Sequence, residues 1–453
     1  MISLAAPNGP SCLSPVDVRN GAQLYAVIHA WPAALATKRQ TMLIEAFRER
    51  PDLQLLLAAA RPSVSPETSE RIRTLVGDNT DWPGVLRLAS EHGVRPLLYR
   101  SLQSTCPDRV PDAVLGELLG FIRSDVAHNL SQNAELVRLL KGLGERGVPA
   151  IPFKGAILAD WAFTDASLRE SGDIDIVIRR RHLREAVTFL LTQDYRSRSG
   201  GLEAKLENTT DDNLGRYLRF DRIDGLASVD LQTSLEAPHF TFALDSDELW
   251  DRTIRRTFLG ETVLSFSAED LLILLGVHGT KDVWFKLKWI CDIAGLIARE
   301  QGLDWDRVLR RAAHLRAKRK LLFGCLLAHD LLGADLPERV LAQIHKEPRV
   351  LASAKTIVEK YCLSSRRFTD AERATLYFRT ADPGERSRSV VRYLRRTLGV
   401  LLHPSDKDRR AVSLPAWLSP VYYLVRPVRL VAQFAMRPRL AAQAIREMFE
   451  SLD

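Results

Sequence analysis

Residues 148–158 read V-P-A-I-P-F-K-G-A-I-L, and residues 169–178 read R-E-S-G-D-I-D-I-V-I. These two runs frame a short helical interlude, and their reading decides the fold. Each contains an apolar run of strand length, one ending at Lys154-Gly155 and the other opening on Asp173 and Asp175. In a strand, residues two apart point to the same side. Asp173 and Asp175 therefore aim their carboxylates together, while Ile174, Ile176 and Ile178 face the other way, into a core. Paired like charges cost stability unless a cation or a donor neutralises them. A divalent metal is the first candidate.

Downstream, Arg180-Arg181-His182 opens a helix with Leu183, Val187, Leu190 and Leu191 on one face. The polar stretch from Arg196 to Gly215 reads as a mobile loop. Tyr217 to Ile223, Asp224-Gly225 and Leu226 to Thr233 then read as a hairpin with a type I′ turn. On its second arm Val229 and Leu231 point one way, Asp230 and Gln232 the other. The order β-α-β-α-β-β predicts a small mixed sheet with helices on one side. Adjacent strands would bring Asp173, Asp175 and Asp230 together. Three carboxylates supply the hard oxygen ligands that a pair of Mg²⁺ ions and a polyphosphate require.

Around this core the pattern is helical. Val18 to Ala30, Arg39 to Ala59, a run after the caps at Asn79-Thr80-Asp81, and Val114 to Leu143 carry apolar residues at helical spacing. Helical spacing returns from Ser267, with Ala268 to His278 and Val283 to Glu300 as the first two helices. The fold class is α+β, mostly α. Its expected divisions are an N-terminal helical region (1–147), the sheet-bearing core (148–266), a helical domain (267–381) and a tail (382–453) interrupted by prolines. The tail is basic: from Glu385 onward it has 13 Lys and Arg against 6 Asp and Glu, most of the chain's formal +8. A solvated arginine-rich surface explains it best, and no nucleic-acid-binding motif accompanies it.

With 453 residues, 46% hydrophobic and 26% charged, the chain has an ordinary globular composition. Its five cysteines are scattered, without a C-x-x-C pair, which argues against a disulfide framework or a zinc cluster and fits a reducing compartment. The N-terminal residues lack a signal-peptide pattern, and no apolar run is long enough to span a bilayer. The expectation is a cytoplasmic protein.

The blocks resemble a known family, the uncharacterised nucleotidyltransferases of the DNA polymerase β-like superfamily. The resemblance rests on Lys154-Gly155 followed by Leu158, on the run from Arg169 to Ile178, and on Val229-Asp230-Leu231. It extends to Leu271-Leu272, His278-Gly279, Lys281, Trp284, Leu287-Lys288-Trp289 and Asp292, and to Leu414-Pro415 and Tyr422 to Leu430 in the tail. It implies a nucleotidyltransferase core in which Asp173, Asp175 and Asp230 bind Mg²⁺, or Mn²⁺, and catalyse transfer. Lys154, Gly155, Arg169, Ser171, Gly172, Lys281 and Lys288 would contact an NTP, with ATP the first choice.

Lys154-Gly155 stands where better-studied relatives have a Gly-Ser turn that grips phosphates at a helix N-terminus. The serine is absent here, with Lys154 as a substitute charge. Gln232-Thr233 replaces a His-Trp pair. The implied activity is transfer of a nucleoside monophosphate to a small molecule, peptide or protein, releasing pyrophosphate. The two departures motivate an alternative, a non-catalytic adaptor of the same fold that binds a partner through its helical domains and basic tail. Trp284 and Trp289 read as core anchors, His278 as a satisfied histidine near a helix end, and Lys288 with Asp292 as an intrahelical pair.

Overall fold

The computed structural model describes residues 49–163, 165–198, 214–237, 240–360 and 369–381, with Phe47 and scattered further positions. The helix expected over Val18 to Ala30, most of the polar stretch 196–215 and most of the tail lie outside the described residues.

Five helices come first: α1 (Pro51–Ala59), α2 (Pro66–Leu75), α3 (Trp82–His92), α4 (Arg95–Thr105) and α5 (Asp112–Glu145). Local chemistry sets their ends. The Ser65 and Asp81 side chains accept the N–H groups of Thr68 and Gly84, and Gly93, at φ +68°, terminates α3 in the left-handed conformation. The α/β segment follows as β1 (Ala150–Pro152), α6 (Gly155–Ala162), β2 (Ile174–Ile178), α7 (Leu183–Thr192), β3 (Tyr195–Ser197), β4 (Tyr217–Arg222) and β5 (Ser228–Gln232). The sheet order is β1-β2-β5-β4-β3, with β2 and β5 parallel and every other neighbour antiparallel. The mixed sheet expected from the sequence is therefore present, with β3 added from a segment read as loop.

Two short hairpins follow, β6 (Ser234–Ala237) with β7 (Phe240–Ala243), and, after the short helix α8 (Asp247–Trp250), β8 (Ile254–Phe258) with β9 (Glu261–Ser265). The chain then returns to helices: α9 (Ala268–Lys281), α10 (Leu287–Arg299), α11 (Trp305–His314), α12 (Lys318–Leu332), α13 (Glu338–His345), α14 (Pro348–Lys360) and α15 (Asp370–Thr380).

Two expectations are corrected. The β4–β5 connection is not a type I′ turn, which needs positive φ at both central residues. Only Gly225, at φ +74°, is left-handed there. Arg222 N–H instead reaches Ala227 O, Gly225 N–H reaches Arg222 O, and the Asp224 carboxylate accepts Leu226 N–H. That aspartate-centred turn favours the longer loop from Ile223 to Leu226.

Nor are the helices confined to one side of the sheet. Ile174, Ile176 and Ile178 join a core with the C-terminal half of α5 and with α7. Ile151, Phe153 and Val177 belong to a larger core shared by α1–α4 and the helices from α9 onward. The helices before and after the sheet thus pack on one another through a common apolar interior. Cys106, Cys291 and Cys325 are buried free thiols within it. Among the described residues, no helix is long and apolar enough to cross a membrane.

Candidate active site

The floor of the site is set by strand register. On the parallel pair β2–β5, Asp175 lies directly opposite Asp230 and Ile174 opposite Val229. Alternation then puts the apolar neighbours into the core and both carboxylates on the same face. Asp230 is buried and Asp175 half-buried, while Asp173, one residue before β2, is exposed. Each oxygen of the two paired carboxylates meets a side chain. Gln232 donates its side-chain N–H to Asp175 Oδ1, and Lys154 Nζ lies 3.3 Å from Asp175 Oδ2. The Tyr217 hydroxyl donates to Asp230 Oδ2, while Arg219 Nε lies 3.5 Å from Asp230 Oδ1 and donates to Tyr217 Oη at 2.8 Å. Burial pushes the Asp230 carboxyl above its ordinary value; the Tyr217 hydrogen bond opposes this, and the Asp175 and Asp173 charges add to it.

One wall is the turn from β1 into α6. Lys154 has φ 66° and ψ −144°, a conformation that side chains other than glycine rarely adopt, and Gly155 follows at φ 51°. The turn aims Lys154 at Asp175 and brings the α6 N-terminus, with its free N–H groups, to the cleft. Arg169 braces this wall. Its guanidinium is buried and makes a two-point ion pair with buried Asp292 of α10, at 2.7 and 3.0 Å. Arg169 Nη1 also lies 3.4 Å from both Gly155 O and Ser171 Oγ. Next to it, Glu170 accepts from the backbone N–H and guanidinium of Arg95 on α4.

The roof comes from the α9–α10 connection. Val283 and Trp284 both have positive φ, at 60° and 53°, so the chain breaks between Lys281 and Lys288. These lysines are thus on two helices. Asp292 pairs with Arg169 rather than Lys288, whose Nζ donates to Glu170 O at 3.3 Å. Burial pushes Lys288 down to about 8, with Arg169 and Lys286 adding to the effect. Trp284 is fully buried, as expected of a core anchor, and its ring occupies the space that glycine leaves at Gly279. Trp289, by contrast, lines the cleft beside Phe285 and His278. His278 is buried and its proton affinity lies well below the ordinary value, through burial first and then Lys154 and Lys281. Its Nδ1 lies 3.5 Å from Asp282.

Between floor, wall and roof is a cleft of about 630 Å³. It is lined by all ten residues singled out from the sequence: Asp173, Asp175, Asp230, Lys154, Gly155, Arg169, Ser171, Gly172, Lys281 and Lys288. Tyr217, Arg219, Lys286 and Arg373 also line it and had not been singled out. A second cavity, about 680 Å³, lies among Arg61, Arg100, Arg299 and Trp305 and brings none of these residues together.

By donor type the floor fits a hard divalent cation, since carboxylate oxygens are its usual ligands and the Asp175–Asp230 repulsion is the strain such an ion relieves. Among the described residues, however, no three His, Cys, Asp or Glu side chains already form a metal-sized set. Lys154 and Arg219 are the cations that meet the paired carboxylates in this conformation.

A mixed sheet thus pairs aspartates across parallel strands, beneath a basic cleft. The profile of a family described as "Uncharacterised nucleotidyltransferase" matches residues 78–333, more than half of the chain. The chain belongs to that family. No curated protein and no solved structure matches it.

Proposed function

We propose that the protein is a divalent-metal-dependent nucleotidyltransferase that moves a nucleoside monophosphate from an NTP, ATP first, to an acceptor hydroxyl. The observation that carries this is the Asp175–Asp230 register, with Asp173 at the same strand end and Lys154-Gly155 beside it. Asp173, Asp175 and Asp230 would hold Mg²⁺ or Mn²⁺, which when bound supplies positive charge against the polyphosphate. In this reading Asp230 takes the hydroxyl proton as general base. The acceptor oxygen then bonds to the α-phosphorus, the α–β phosphoanhydride bond breaks, and pyrophosphate leaves with the electron pair. Gly155 and the α6 N-terminus orient phosphate oxygens, and Lys281 and Lys288 balance their charge.

Incubation with NTP labelled at the α- or γ-phosphate tests the reading. Label should reach acceptor only from the α position, and Asp230→Asn should lower the rate by about 10²–10⁴-fold. Transfer from the γ position alone would make the protein a kinase, and activity surviving Asp173→Asn with Asp175→Asn would remove the site.

One observation favours the adaptor reading instead. Both oxygens of Asp175 and of Asp230 already meet side chains of the protein itself. If those contacts are permanent, Mg²⁺ or Mn²⁺ with nucleotide should leave the melting temperature unchanged. A metal-dependent upward shift excludes that reading.

A further inference from the structure

Arg373 enters the cleft from α15, beyond the last residue that the family profile matches. Its guanidinium lies 5.7 Å from the centre of the Phe285 ring. Its ion-pair partner among the described residues is Asp282, at 3.8 Å, and its buried Nε makes no hydrogen bond with them. Asp282 is itself shared, 3.1 Å from Lys281 Nζ and 3.5 Å from His278 Nδ1. Lys286 Nζ comes within 6.0 Å of the same Phe285 ring centre. Lys281, Lys286 and Arg373 thus share this part of the roof with one carboxylate. A guanidinium fixed against an aromatic ring but poorly matched by acid is pre-organised for an anion of planar or tetrahedral shape.

We propose that Arg373, with Lys281 and Lys286, forms an anion subsite in the roof of the cleft, which takes a phosphate-type group of a substrate. The proposal rests on the nucleotidyltransferase reading only for the owner of that group, either the nucleotide's own polyphosphate or an acidic acceptor. Asp282 competes with the incoming anion and sets how tightly the subsite holds it.

Isothermal titration of the full chain with inorganic phosphate, with and without a saturating non-hydrolysable ATP analogue and Mg²⁺, tests the subsite. The wild type should bind phosphate, and Arg373→Ala should weaken binding about tenfold or more, with Arg373→Lys between them. Asp282→Asn should tighten it, a gain that misfolding does not produce. Phosphate that still binds beside the analogue assigns the subsite to an acidic acceptor. Phosphate displaced by the analogue, with analogue affinity also falling about tenfold in Arg373→Ala, assigns it to the nucleotide. No phosphate binding by the wild type, or binding unchanged by Arg373→Ala, overturns the proposal. A protein that binds phosphate through Arg373 but never the analogue keeps the subsite and loses the nucleotidyltransferase reading.

Discussion

Lys154 is held in a backbone conformation that glycine adopts more readily, at a cost of about 1–3 kcal/mol. What the protein gains is an ammonium 3.3 Å from Asp175 at the turn into α6. Removing the side chain with and without relief of the backbone separates the two effects. Lys154→Gly and Lys154→Ala both lose the charge, but only the glycine variant loses the strain. The glycine variant should therefore be the more stable of the two by about 1 kcal/mol or more in urea unfolding, with nucleotide binding equally weakened in both. Equal stabilities would show that the turn is unstrained.

Lys288 yields a pH prediction at the same scale. Its pKa is about 8 in the folded protein against an ordinary 10.5, so between these values the unfolded chain binds more protons than the native one. Stability should rise with pH across that window, and Lys288→Met should abolish the rise. Over the same window the ammonium is lost, so NTP affinity should fall as pH passes about 8, and Lys288→Arg should flatten the fall in a pH profile of kcat/KM.

At the scale of elements, the α9–α10 connection shows why some of the site could be read from the sequence and some could not. Asp175 and Asp230 were legible because strand alternation has a fixed period and each sits between core isoleucines, valines or leucines, and Asp173 because it is two residues before Asp175. Tyr217 and Arg219 were not, because their contacts with Asp230 depend on how β4 registers on β5, and a turn guessed as type I′ gave no warning of the longer loop. Lys281 and Lys288 line the cleft from two helices, and the positive φ angles of Val283 and Trp284 that turn the chain between them leave no sequence signal. Those angles are sustained by packing. A Cβ at Gly279 would lie 2.4 Å from the Trp284 ring, and the ring also meets Phe323 of α12 edge-on. Gly279→Ala should therefore destabilise the protein by about 1–3 kcal/mol in urea unfolding and displace Lys281 and Lys286 enough to weaken phosphate binding. A stable variant with intact binding would mean that the turn is not held by Trp284.

At the scale of the molecule, the cleft depends on contacts between the N-terminal helices and the roof. His92, at the end of α3, accepts the backbone N–H of Leu287 at 3.3 Å, where α10 begins, and Glu170 ties the Arg169–Asp173 loop to Arg95 on α4. Burial pushes His92 down to about 4 from an ordinary 6.5, with Lys286 opposing protonation and Glu91 favouring it. The sign follows from proton counting. From pH 6.5 down to about 4 the unfolded chain takes up a proton that native His92 refuses, so stability falls with falling pH, by roughly 3 kcal/mol across the window. Buried His278 acts in the same direction. Asp330 works against them, because its carboxyl is raised to about 6 and its protonation favours the native state below that pH. His92→Gln keeps an acceptor for Leu287 N–H and removes the titration. Its stability should therefore lose less between pH 6.5 and 4 than the wild type's, with the difference between the two curves confined to that window. If the contact organises the roof as well as the fold, wild-type phosphate affinity at pH 5 should fall together with stability, and His92→Gln should retain more of both. Parallel pH curves for the two proteins would show that His92 is protonated freely, and that the N-terminal helices hold the roof by apolar packing alone.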